Sequence, residues 1–171
     1  MQESPELDLG TAIIGEMKGG YRSQKDLGDA ALTQLDEAEW HATLDEWSNP
    51  ISVIVRHVAG NLRSRFTDFL TTDGEKPDRN RDGEFEFTPL PVPTLLAEWQ
   101  EGFRILWGTL DALTPADLER TVHIRGEPHT VLKALTRNFA HTSHHVGQIV
   151  LLAKHLRGER WQTLSIPRRK P

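Results

Sequence analysis

The chain contains no cysteine, which excludes disulfides, thiolate metal ligands and a cysteine nucleophile together. It also lacks any uninterrupted apolar stretch near the ~18 residues of a membrane span, and its first residues, Met1 to Glu6, are acidic where a signal peptide is basic. A cytoplasmic protein without a membrane partner is the expectation. Positive charge is short as well: 20 Lys and Arg against 25 Asp and Glu leave a net charge of −5. That balance disfavours nucleic acid as a partner, although Arg168-Arg169-Lys170 forms a small basic tail. Also absent are a phosphate-cradling glycine-rich loop, a nucleophile elbow, the paired Glu-x-x-His motifs of di-iron bundles, and any internal repeat.

What is present fits one domain over residues 1–171, long enough to bury a core without staples. Apolar residues recur at intervals of three and four, the period of helices. A first helix is expected from about Leu7 to Leu35, kinked or split at Gly19-Gly20, because glycine costs about 1 kcal/mol against alanine in a helix interior. A second opens at Asn49-Pro50, with Asn49 as cap, and runs to about Leu70. A third runs from about Thr94 to Leu113, followed by a short helix capped by Thr114. Thr121 to Arg125 alternates and precedes Gly126, which suggests a brief extended excursion or a hairpin, and a last helix runs from about Thr130 to Leu156, ended by Gly158. Four principal helices predict an all-α, up-down four-helix bundle. The connection from Thr71 to Pro93 exceeds the ~12–15 residues of ordinary loops and is dense in charge, as either a functional lid or a solvated segment would be.

With thiolate ligands absent, histidine is the obvious metal ligand available: eight in all, with His141, His144, His145 and His155 inside fifteen residues. His141 and His145 stand four apart on a predicted helix, so both imidazoles rise from one face, close enough to grip one ion. Gln148 continues that stripe. His57 lies on the apolar second helix, with Asn61 and Arg65 one and two turns further along the same face. An imidazole on such a face is ordinarily a hydrogen-bonded core residue, and a histidine pair at this spacing arises by chance in a histidine-rich chain. Three of them converging in a bundle would instead make a three-nitrogen site with one position open, the catalytic rather than the structural arrangement. Thr142 stands where the zinc-peptidase motif needs its glutamate base, which disfavours peptide hydrolysis.

His57 with the block Ala59 to Lys76, the stretch Arg81-Asp82-Gly83-Glu84-Phe85, His141-Thr142-Ser143-His144-His145 followed by Gly147-Gln148, and a closing Trp161 and Leu164 to Pro167 together resemble the DinB/YfiT-like superfamily over nearly the whole chain. The resemblance implies a bundle binding one divalent ion, zinc or nickel, through His57, His141 and His145. It further implies a thiol-dependent S-transferase or a hydrolase acting on a small molecule, with a low-molecular-weight thiol such as bacillithiol or mycothiol as cosubstrate, and a homodimer. A non-catalytic metal-binding or stress-response module is the alternative. In either case any thiol comes from outside the chain. Asn61, Arg65, Gln148 and, on the long loop, Arg79, Arg81 and Asp82 are candidates for contacts to substrate or to the ligands, with an ordinary hydrogen bond or a solvated loop as the plain alternative. His144 is a candidate general acid or base by its neutral-range chemistry, and equally a surface residue, since adjacent helical positions point about 100° apart. His41, His123, His129 and His155 suggest no role.

Overall fold

A computed structural model describes residues 8–166; the acidic start and the basic Arg168-Arg169-Lys170 tail lie outside the described residues. Helix α1 (Leu9–Leu32) begins at Asp8, whose carboxylate accepts the Gly10 N–H. Contrary to the expectation of a kink or break, α1 continues through Gly19-Gly20. The ring of Phe139 explains Gly20: a Cβ there would sit 3.0 Å from the Phe139 Cζ, so the missing side chain is filled by a neighbour and packing offsets the poor helix propensity. A short helix that the periodicity does not predict, α2 (Glu37–His41), follows a capping box between Asp36 and Glu39.

Helix α3 (Ile51–Phe66) starts with Pro50 itself at the cap position, and no side chain caps it. It stops four residues short of the expected Leu70, because Thr67 turns extended and Asp68 adopts the left-handed region at φ 48°, which a short polar side chain tolerates. Helix α4 (Val92–Ala112) carries Pro93 in its first turn, where the missing N–H costs nothing. A single tight turn, Pro115–Glu119, is capped reciprocally by Thr114 and Asp117. The hairpin is present: β1 (Thr121–Ile124) pairs antiparallel with β2 (Glu127–Thr130) in the register Thr121↔Thr130 to Ile124↔Glu127. Its two turn residues, Arg125 and Gly126, both have positive φ, at 57° and 74°, which matches the twist of the strands. Helix α5 (Val131–Arg157) begins at Thr130, which accepts the Lys133 N–H, and ends at Gly158 with φ 54°.

The four long helices form an all-α bundle in which α3 packs chiefly on α4 and α1 on α5; α3 against α5 and α1 against α4 close the ring. Tyr21, Leu62, Trp99, Phe103, Leu135 and Ile149 fill its centre. No helix among the described residues is long and apolar enough to cross a membrane. The α3–α5 seam, with the hairpin at its edge, carries the polar cluster.

Candidate metal centre

His57 projects from α3 into that seam and is 4% exposed. His141 and His145 reach it from successive turns of α5. The ring centroids lie 5.0 Å apart for His57 and His141, 4.8 Å for His57 and His145, and 4.6 Å for His141 and His145. One nitrogen from each falls within 4.8 Å of the others. The Nε2 atoms of His57 and His141 are 3.0 Å apart, close to the roughly 3.3 Å that separates two imidazole nitrogens bound tetrahedrally to one zinc ion. The donor set therefore fits a divalent ion of the kind imidazoles bind.

Each neighbour of the cluster orients a ring. Glu84 accepts a hydrogen bond from His57 Nδ1 at 2.9 Å, which puts the proton on that nitrogen and turns the Nε2 lone pair toward the other histidines. Arg79, whose side chain is 3% exposed, donates from Nε and Nη2 to the two oxygens of the same carboxylate, both at 2.8 Å. Burial pushes the Glu84 carboxyl up, but the bonds from His57 and Arg79 outweigh it and hold it below its ordinary value. Gln148 Oε1 stands 2.7 Å from His145 Nδ1, leaving the other nitrogen of His145 for the cluster. Burial, with the charges of His145 and His57 adding, lowers His141 to about 3, and burial also lowers His145. Both are neutral at pH 7, the protonation state a ligand needs. The Nδ1 of His141 is buried and has no protein partner among the described residues.

The first half of the long charged connection is tied to the hairpin and to α3. Asp73 accepts the backbone N–H groups of Arg125 and Gly126 in the hairpin turn, and Gly74 donates to the carbonyl of His123. Ser64 on α3 bonds the carbonyl of Gly74 and the N–H of Lys76, and Glu75 pairs with Arg65, Arg79 and Arg125. So anchored, the loop lays Glu84 across α3 at Gly60, where a Cβ would overlap the Glu84 carboxylate.

Beside the cluster lies a cavity of about 190 Å³, partly open to solvent. His57, His141, Asn61, Arg65 and Arg81 line it, together with Arg79, Arg125, Arg137 and Asn138. Asn61 accepts from Asn138 Nδ2 at 2.7 Å, and Arg65 donates to the carbonyl of Gly74. Arg81 is half-exposed and stacks over Phe85. His144, the candidate acid or base, is exposed and lies outside both the cluster and the cavity lining. Periodicity pairs His141 with His145, and the family resemblance adds His57; neither points to the role of Glu84 or the place of Arg137 in the cavity. One signal for Glu84 was available: Gly60, a glycine one turn beyond His57 in a helix otherwise free of it, marks a place where something must come close.

No curated protein and no solved structure matches the chain. Residues 8–170, nearly the whole sequence, match the family described as "Protein of unknown function (DUF1572)", and the chain belongs to that family.

Proposed function

We propose that this protein is a divalent-metal-dependent enzyme of the DinB/YfiT-like kind, with His57, His141 and His145 as ligands to zinc or nickel, acting on a small molecule. The carrying observation is the three-histidine cluster set against an open cavity. A sealed cluster would favour a module that holds metal without turnover; an accessible one favours chemistry. When bound, the ion would supply Lewis acidity at a coordination position the protein leaves free.

The chain's own contribution is orientation. Glu84 and Gln148 hold the imidazoles of His57 and His145, and Arg79 holds Glu84. Among the described residues lining the cavity there is no carboxylate, and no histidine outside the cluster, so these offer little to a water that must lose a proton. A thiol, with a pKa of about 8.5, needs far less help. That difference favours S-transfer from a low-molecular-weight thiol over hydrolysis, and the thiol must be exogenous because the chain has no cysteine.

Purified protein should carry close to one divalent ion per chain by elemental analysis. Metal-loaded protein incubated with a panel of small thiols and a haloarene electrophile should form the thioether, and His57→Ala should not. Absence of stoichiometric metal would return the histidines to the core; metal without any thiol-dependent product would move the assignment to hydrolysis or to the binding module.

A further inference from the structure

Five arginines, Arg65, Arg79, Arg81, Arg125 and Arg137, line the cavity beside the histidines, in a chain whose net charge is −5. Two of them are committed. Arg79 is held by Glu84 and Glu75, and Arg65 by the carbonyl of Gly74 and by Glu75. The nearby acids are spent behind the cavity: Glu75 is shared among three guanidiniums, and Asp73 serves backbone N–H groups. Burial holds Arg65 below its ordinary value, with Glu75 opposing and Arg79, Arg125 and Arg137 adding.

Among the described residues the remaining three guanidiniums have donors to spare. There the Arg125 side chain uses only Nε, toward Glu75 at 3.1 Å. Arg81 makes one 3.3 Å contact with its exposed neighbour Asp82, and Arg137 one of 3.4 Å with His129. Asn61, whose carbonyl oxygen is taken by Asn138, adds an amide whose Nδ2 has no protein acceptor among the described residues. A guanidinium presents a planar fork that matches a carboxylate or phosphate in two parallel bonds. The cavity is smaller than the ~300–1,000 Å³ of drug-sized sites. It admits a compact anionic group, with the rest of a larger molecule outside.

We infer that this pocket binds the carboxylate or phosphate of a small anionic substrate, with Arg137, Arg125 and Arg81 as its recognition groups, placing the remainder of that molecule at the histidine cluster; as a substrate assignment this rests on the metal reading above. The anion is held by charge and by fork geometry, so its affinity falls as salt rises.

The test is isothermal titration of the full-length protein, with metal content measured on the same sample, against succinate, inorganic phosphate and, as neutral control, succinamide at fixed ionic strength. At least one anion should bind and succinamide should not; which anion binds separates a carboxylate site from a phosphate site. Arg137→Ala should weaken binding about tenfold or more, Arg137→Lys less, and Arg81→Ala less again, with melting temperatures unchanged because both side chains reach solvent. Metal-loaded protein that binds neither anion, or variants that bind as the parent does, would overturn the inference while leaving the metal centre standing. Anion binding that depends on Arg137 in protein that retains no metal would overturn the enzyme assignment and reduce the pocket to an anion site.

Discussion

Two glutamates in this bundle look alike by burial and partners. Glu39 and Glu84 are each 8% exposed, and each carboxylate is clasped by arginine: Glu39 by Arg157 at 3.0 Å and Arg160 at 2.6 Å, Glu84 by Arg79 at 2.8 Å. The difference is the remaining partner. Glu39 closes a capping box with Asp36 at the start of α2, and its bonds from Arg157 and Arg160 tie that helix to the end of α5, an architectural contact. Glu84 ends on an imidazole whose opposite nitrogen faces two more histidines and a cavity. Burial of an acid thus says little about its purpose; what stands at the far end of its hydrogen bonds says more.

The strongest way to break the comparison is to remove a ligand. His141→Ala should abolish stoichiometric metal by elemental analysis, whereas Glu39→Ala should leave metal content untouched and lower stability by about 1–3 kcal/mol in denaturant melts, the cost of stranding hydrogen-bonded charge. Next comes Glu84→Gln, which should weaken metal binding about 10–100-fold in competition titrations by loosening the His57 ring. Equal metal affinity in Glu84→Gln and parent would erase the distinction between the two acids.

Gly60→Ala separates local propensity from site geometry. An alanine in the middle of α3 favours the helix by about 1 kcal/mol, yet its Cβ overlaps the Glu84 carboxylate. Metal affinity should therefore drop toward that of Glu84→Gln while the melting temperature moves little. A last effect is one of pH. His141 is lowered to about 3 in the fold and returns to about 6.5 when unfolded, so between these values the unfolded chain binds the extra proton. In metal-free protein, stability should fall as pH drops from about 6.5 toward 3, and His141→Ala should flatten that slope over the same window.

How much of this was legible depended on sequence distance. His141 and His145 could be paired because they share a helix face, whereas periodicity alone left His57 an ordinary core histidine and only the family resemblance joined it to the pair; Thr121 to Ile124, alternating ahead of Gly126, allowed a hairpin or a brief extended stretch. Glu84 could not be placed, since its position depends on Asp73 finding two N–H groups more than fifty residues away in the hairpin turn. A charged loop has no period that announces such a tether. The glycines misled for a related reason. Propensity counts the missing side chain of Gly20 as a loss, and only the fold reveals that Phe139 occupies its place.

The clasp of Asp73 on the hairpin turn has a consequence for how this chain tolerates change in length. Both ends of the segment from Asp73 to Glu84 are fixed, one to the turn at Arg125 and Gly126 and the other to His57. An inserted or deleted residue within it cannot be absorbed without drawing the carboxylate off the imidazole. Beyond Phe85 the connection is exposed from Glu86 to Pro89, before Leu90 packs back against the core. Grafted tags, protease sites and natural length variation therefore belong in that second stretch, and the first behaves as a ruler of set length laid between hairpin and histidine.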